Sequence, residues 1–420
     1  MQPIEYISRF SRLGKRVSDL SRMGSLLDAI GRPQEGQTFI HIAGTNGKGS
    51  IAQMFSEVLT AQGYRAGLFT SPYIVSFYDR IKVDNKNITE AQLSDILEGL
   101  APVIEAHPMC GSFSQFEITQ AAAFVHFRRQ GCRVVVLEAG LGGLLDSTNI
   151  IEKPLVSVIG SIGLDHTAIL GDTVAEIAFQ KAGIIKEGAP CVLSAGAPED
   201  AVRVFETVAA RRHSQLVIPD MKMCRIIRSG ITGSDFLWRG KEYSVTMPGQ
   251  HQVRNALTVI EALRLISDRL PVSFRSLRQG LERAQLFGRV EILSKEPLTV
   301  LDGSHNPDGM RALGGFLSQL GGRTVRAVIG MHTDKNAAGA VAQIAPYVSA
   351  FYPVSGFSDR DYPAGELADI ITAAGGKAEL MEGEPSDVIS ALRQRYPEDV
   401  LLICGSLYLV SYVKQSGFTG

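Results

Sequence analysis

Hydrophobic positions along the chain fall into two spacings. Arg133–Leu137 (RVVVL) and Pro154–Gly160 (PLVSVIG) are short, continuous apolar runs of the kind that form strands buried on both faces. Other stretches repeat at the helical period. Leu93, Ile96, Leu97 and Leu100 stand at i, i+3, i+4 and i+7, behind a Thr89/Gln92 pair with capping-box spacing. Thr38–Ala43 predicts a strand entering a glycine-rich turn, and Ser50–Gln62 a helix leaving it. Such alternation predicts an α/β protein with a mostly parallel sheet and helices on both faces.

Residues 222–247 depart from this pattern. Arg225–Ser229, Phe236–Trp238 and Tyr243–Met247 lie among Gly and Ser turns and predict a small antiparallel patch, and His251–Ser267 a helix. The pattern resets around Gly288–Pro297. Strands at Thr299–Leu301, Val325–Gly330 and Val400–Cys404 then alternate with helices at Asp308–Leu320 and Ala337–Pro346. Two domains are expected, 1–288 and 289–420, the second the smaller.

Composition changes the picture little. With 45% hydrophobic and 20% charged residues, the 420-residue chain has the make-up of a globular protein and not of a disordered one. Lys and Arg number 42 against 43 Asp and Glu, so no global field favours nucleic acid or an anionic membrane. No run approaches the roughly 20 apolar residues of a membrane span. The first 22 residues, with Arg12, Lys15 and Arg16 among them, lack the apolar core of a signal peptide. Cys110, Cys132, Cys191, Cys224 and Cys404 are odd in number with no CxxC spacing, which points to reduced thiols. A cytoplasmic protein is expected.

The densest chemistry lies in His41-Ile-Ala-Gly-Thr-Asn-Gly-Lys-Gly-Ser50. Gly44, Gly47 and Gly49 let backbone N–H groups turn inward, Thr45 and Asn46 complete the turn, Lys48 adds a cation, and Ser50 opens a helix. That is the architecture of a phosphate cradle, to which the helix N-terminus adds about half a positive charge. The strict P-loop spacing is not met: Ile42 replaces its first Gly, and Gly49 separates Lys from Ser. A glycine-rich turn beside a solvent lysine is the alternative, and the strand–loop–helix context favours the phosphate cradle.

Elsewhere each candidate has two readings. Glu138, just past a buried strand, is a Mg²⁺ ligand or a helix-terminus partner; His166 is a metal ligand or a core imidazole. Lys181, in an apolar setting, snorkels to solvent or is modified. Arg289, at the proposed domain joint, meets a triphosphate or makes a surface ion pair. Phe116 stacks on a flat ring or fills a core. No GxGxxG opens the second domain, so no nicotinamide cofactor is indicated.

The chain resembles the folylpolyglutamate synthase and dihydrofolate synthase family of Mur-ligase-like, ATP-dependent amide ligases. GTNGKGS matches its ATP loop. Leu68-Phe-Thr-Ser-Pro72, Glu138-Ala-Gly-Leu-Gly-Gly143 with Asp146-Ser-Thr-Asn149, and Leu164-Asp-His166 follow in the family's order. So do Lys181-Ala-Gly-Ile-Ile-Lys186, Gly249-Gln-His-Gln252 with Asn255-Ala256, Leu301-Asp-Gly-Ser-His-Asn-Pro307, and Gly405-Ser-Leu-Tyr408. The resemblance implies an ATP-binding first domain and a Rossmann-like second one. It implies ATP on the Gly44–Ser50 loop, Asn255, Arg289, Asp302 and His305. It implies two Mg²⁺ ions, on Ser71, Glu138, His166 and a carbamylated Lys181, and a pterin near Phe116, Glu117, Leu144, Leu145 and Asp146. Lys48, Lys181, His166 and Arg289 would carry the catalysis. The expected reaction joins L-glutamate to dihydropteroate or a folate through an acyl phosphate, in a monomer with small-molecule partners only. Tyr73 and Leu144 depart from the family pattern, which bears on substrate choice. The alternatives are a folylpolyglutamate synthase alone, a Mur-type peptide ligase, and a nucleotide-binding regulatory module. The second is disfavoured by an ATP loop beginning at residue 44, and the third by the joint presence of Lys48, Glu138, His166, Lys181 and Asp302.

Overall fold

The structure is a computed structural model and describes residues 1–11 and 18–418; Arg12, Lys15 and Arg16 lie outside these. The chain forms two compact units. One comprises Met1–Ile162, Leu170–Met221 and Arg254–Ala284; the other comprises Gly163–Ile169, Lys222–Val253 and Gln285–Gly420.

The first unit is built on strands β1 (Phe39–Ala43), β2 (Ala66–Phe69), β3 (Ile81–Val83), β4 (Lys86–Asn87), β5 (Val134–Glu138), β6 (Val156–Ile159), β7 (Cys191–Leu193) and β8 (Leu216–Val217). Among the described residues they form one sheet in the order β4-β3-β2-β5-β1-β6-β7-β8. β3 and β4 are antiparallel additions at one edge; the remaining pairs are parallel. Every side chain of β1, β2, β5 and β6 is buried, the continuous burial of a strand covered on both faces. The register pairs Ile42 with Glu138 and Ala43 with Ile159, so the carboxyl ends of β5, β1 and β6 lie level.

Among the described residues the second unit holds two sheets. β9 (Arg225–Gly230), β10 (Gly233–Trp238) and β11 (Lys241–Val245) make the antiparallel patch that the sequence predicted. The contacts group it with residues 285–420, whereas the sequence reading grouped it with the first domain. β12 (Glu291–Lys295), β13 (Leu298–Asp302), β14 (Val325–Ile329), β15 (Ala350–Pro353) and β16 (Val400–Cys404) form the other sheet, ordered β12-β13-β16-β14-β15. Only β12 runs antiparallel in it. The α/β class is as predicted.

Local signals explain the ends of several helices. Thr89 caps Glu90–Glu105 in a reciprocal box with Gln92, as its spacing implied. Ser114 with Glu117 and Thr173 with Glu176 make the same box at the starts of Gln115–Arg129 and Val174–Ala182. The helix Lys48–Ala61 packs closely on Phe274–Arg283: a Cβ on Gly280 would lie 2.3 Å from Val58 Cα. Gly280→Ala should therefore push apart the helix that carries the phosphate loop, costing about 1–3 kcal/mol. Urea unfolding at neutral pH checks this, and an unchanged midpoint would contradict it.

Candidate active site

β1 leaves the sheet at Gly44, and the chain turns directly into the helix Lys48–Ala61. Gly44 and Gly47 have φ of 150° and 83°, values that favour glycine. The turn is pinned to the exit of β6. Thr45 N donates to Ser161 O at 2.7 Å, and a Cβ on Gly160 would lie 2.5 Å from Asn46 O. Lys48 Nζ donates to Gly44 O at 3.0 Å and to Thr45 O at 3.3 Å. Lys181, only 3% exposed, donates to the same Gly44 carbonyl at 3.0 Å. Two ammonium groups on one carbonyl oxygen are at most about 6 Å apart. Their mutual repulsion is roughly 3 kcal/mol at an effective dielectric near 20. An anion in the turn would offset it. Asn255, 4% exposed, is the third group brought here: a Cβ on Gly47 would lie 2.7 Å from its Oδ1. Gly49 lies in the first turn of the helix, and Ser50 after it is buried.

At the level end of β5, Glu138 is 3% exposed and accepts from Ser71 N at 3.2 Å. A buried carboxylate beside a serine supplies hard oxygen donors. Among the described residues no three His, Cys, Asp or Glu side chains converge as a metal cage. That donor set suits an ion which, like Mg²⁺, fills most of its shell with phosphate and water.

Past Glu138 the Gly140–Asn149 segment folds around Asp146. Asp146 accepts from Leu141 N at 2.8 Å and from both the amide and the hydroxyl of Thr148, the amide at 3.0 Å. Burial raises its carboxyl, and these donors oppose the rise. Thr148 in turn meets His41 Nε2 at 2.9 Å, and burial pushes that imidazole down to about 3, so it is neutral. Phe116 packs edge-on against Phe69 at 5.6 Å, and a Cβ on Gly140 would lie 2.8 Å from its Cζ. Glu117 pairs with Arg22 at 2.8 Å and caps through Ser114. Leu144 N donates to Gln180 O at 2.7 Å, and Leu145 is 39% exposed.

The second unit holds the remaining candidates at the carboxyl ends of its strands, where parallel sheets place ligand sites. Asp302 ends β13 and accepts from Val290 N and Ser304 N, each at 2.8 Å. Arg289 is half-buried beside Val290. His305 Nδ1 lies 2.9 Å from Gly303 O, and its Nε2 3.5 Å from Asp165. Asp165 also receives Lys335 Nζ at 2.7 Å, Asn306 Nδ2 at 2.9 Å and His166 N at 2.9 Å. Burial would raise the Asp165 carboxyl; the hydrogen bond and charge of His305, with Lys335 and His166, drive it far below the usual carboxylate range. His166 itself is exposed, with φ of 51°.

Residues 42–263 match the Mur ligase middle domain, and residues 288–407 the Mur ligase glutamate ligase domain. The chain is 34% identical to the folylpolyglutamate synthase of Lacticaseibacillus casei, covering 99% of this chain and 98% of that one. It is also 34% identical to the dihydrofolate synthase/folylpolyglutamate synthase of Bacillus subtilis, covering 94% of each. The Mycobacterium tuberculosis folylpolyglutamate synthase complexed with ADP superposes with a TM-score of 0.89 at 27% identity, over 99% of this chain and 97% of that one. Escherichia coli FolC in complex with DHPP and ADP superposes at 0.87, with 27% identity and the same coverage. The chain belongs to the folylpolyglutamate synthase/dihydrofolate synthase family of Mur ligases.

Within this family member, the first unit gathers Lys48, Lys181 and Asn255 on one loop, Ser71 beside Glu138, and Phe116 beside Asp146. Arg289, Asp302, His305 and His166 belong to the second unit. Sequence reasoning did not single out Lys335, Thr148 or His41. Lys335 lies just beyond β14, a strand-end position that could have flagged it. Glu117 has capping-box spacing with Ser114 and was read only as a substrate contact.

A carboxyl held below its unfolded value adds stability above about pH 4 and loses it as the pH falls. Asp165→Asn should thus cost roughly 3–5 kcal/mol at pH 7 by leaving Lys335 buried without its partner. The gap to the parent should narrow by about 1.4 kcal/mol for each pH unit below about 4. Urea unfolding across pH 3–7 measures it; a gap that ignores pH would refute this account.

Proposed function

We propose that this protein is an ATP-dependent ligase that adds L-glutamate to dihydropteroate, to (poly)glutamylated folates, or to both. The observation that carries the reading is the convergence of Lys48, Lys181 and Asn255 on the Gly44–Gly47 turn, a polar, cationic cradle at a helix N-terminus. The relatives named for these activities, and the neighbours bound to ADP and DHPP, support the substrates. The family-model limits support a division near residue 288. Among the described residues no helix is long and apolar enough to cross a membrane. A cytoplasmic monomer acting on small molecules completes the reading.

The substrate carboxylate attacks the γ-phosphorus of ATP, ADP leaves, and the amine of glutamate then displaces phosphate from the acyl phosphate. Lys48 and the turn amides bind and orient the phosphates, which is most of what this chemistry asks of a protein. Arg289, Asp302 and His305 are the nucleotide-binding residues that the family likeness nominates in the second unit. Ser71 and Glu138 would hold Mg²⁺, with His166 and Lys181 as the other ligands the family likeness nominates; when bound, the ion neutralises phosphate charge. Carbamylation of Lys181 would turn a cation beside Gly44 into an anion suited to a second Mg²⁺. Phe116, Glu117, Leu144, Leu145 and Asp146 are the candidate pterin-side residues.

Labelled glutamate should be incorporated, ATP-dependently, with dihydropteroate and with tetrahydrofolate. Tetrahydrofolate alone would mark a polyglutamylation enzyme, and incorporation with neither would overturn the proposal. Lys48→Ala should lower turnover by about 10²-fold or more while the urea midpoint stays put. A variant that retains activity would remove Lys48 from the machinery.

A further inference from the structure

His41 is a polar residue in a strand buried on both faces. It pairs with Leu137 of β5 and Ser157 of β6 and is 0% exposed. A polar ring at such a depth is costly unless its nitrogens are used. One of them is: Nε2 meets Thr148 Oγ1 at 2.9 Å, whereas Nδ1 has no hydrogen-bond partner. Burial, and after it the charge of Lys186, push the imidazole down to about 3, so the ring is neutral and carries one proton. Lys186 itself donates to Asn149 O at 2.9 Å.

Thr148 Oγ1 donates in turn to Asp146 Oδ1, which also accepts Thr148 N at 3.0 Å, while Asp146 Oδ2 accepts Leu141 N at 2.8 Å. Donors on both oxygens suit an ionised carboxylate, which has no proton to give back. Thr148 therefore directs its single hydroxyl proton at Asp146, and its oxygen is left to accept from His41. The Nε2–H tautomer follows, with Nδ1 bare. The relay ends on the pterin side of the site. A Cβ on Gly140 would lie 2.8 Å from Phe116 Cζ and 3.3 Å from Asp146 Oδ2, so the ring edge and the carboxylate border one point.

We propose that His41 is a positioning residue for the pterin-bearing substrate: by donating to Thr148 it makes that hydroxyl a donor to Asp146, and so fixes the carboxylate beside Phe116 in the orientation that meets a flat, N–H-bearing heterocycle. This deepens the proposed ligase activity and rests on it, with Phe116 and Asp146 as substrate contacts.

Two measurements test the relay. Long-range proton–nitrogen NMR correlations, with the His41 signals assigned by their loss in His41→Gln, should show the Nε2–H tautomer at neutral pH. An Nδ1–H or doubly protonated ring would overturn the proposal. In steady-state kinetics with whichever of dihydropteroate and tetrahydrofolate the parent enzyme uses, His41→Leu and Thr148→Val should each raise the KM for that substrate about 10-fold, with kcat and the KM for ATP within about twofold of the parent. Because both variants break one relay, the double variant should be no worse than the worse single one. His41→Gln and Thr148→Ser, which keep a side-chain N–H and a hydroxyl, should restore the parent KM. Equal rises in the KM for ATP, or conservative variants as poor as the others, would mean general loosening of β1 and would overturn the proposal. Should His41→Leu fail to fold, the Thr148→Val and Thr148→Ser pair decides. Absence of glutamate incorporation in the parent enzyme would strike the ligase assignment and leave the tautomer standing, so the two failures are distinguishable.

Discussion

One carbonyl oxygen organises the first unit. Gly44 O accepts both Lys48 and Lys181, one from the helix that follows the turn and one from the helix Val174–Ala182. The geometry follows from close packing: Gly44 and Gly160 approach so nearly that a Cβ on Gly44 would lie 3.0 Å from the Gly160 Cα. With β1 and β6 turning away at the same level, backbone dipoles and two cations face one small volume. Like charges this close repel each other. A polyphosphate resolves that conflict better than water does, so the fold itself favours an anionic ligand here.

Much of this was legible because the signals are local. The run Thr38–Ser50 carries its own strand, turn and helix start, and the buried strands announce themselves as unbroken apolar runs. The helix Gln115–Arg129 was not legible, because it is buried on nearly all sides and shows little amphipathic stripe. Partnerships across the chain were equally hidden. Nothing in the sequence says that Lys181 lies against Gly44, 137 residues away, or that Asp165 meets Lys335 across 170 residues. Lys181 was an apolar-context lysine with two readings; burial to 3% exposure and a carbonyl partner remove solvent snorkelling as its explanation.

The second unit places its strain where its candidate chemistry lies. His166 and Val290 both hold left-handed backbone, and each has a carboxylate on its amide, Asp165 and Asp302 respectively. The same device serves two purposes. At His166 the carboxylate is further fixed by Lys335, Asn306 and His305, so an exposed imidazole stands on a rigid base. At Val290 the core side chain supplies the rigidity. Strain of a kcal/mol or more is kept only when packing and charge around it outweigh it. Here the outweighing groups are Asp302, which the family likeness marked as an ATP contact, and Asp165, which lies in the matched Leu164-Asp-His166 motif.

The Gly140–Asn149 segment connects to the Gly44 turn through the helix Val174–Ala182. That helix directs Lys181 at Gly44, while its Gln180 carbonyl receives Leu144 N. Just past its end, Gly183 sits so close that a Cβ would lie 2.4 Å from Leu144 Cα. A second link runs from β1, where His41 reaches Thr148 and Thr148 reaches Asp146. Thr148 has one hydroxyl proton, and giving it to Asp146 requires His41 to donate from Nε2, which leaves Nδ1 bare. That nitrogen is buried without a hydrogen-bond partner, as this tautomer demands. The Gly140–Asn149 segment is thus braced by the same two elements that shape the anion cradle. A change at Leu144 is felt at a backbone contact with the helix that bears Lys181, so the Gly140–Asn149 segment and the Gly44 turn cannot shift independently.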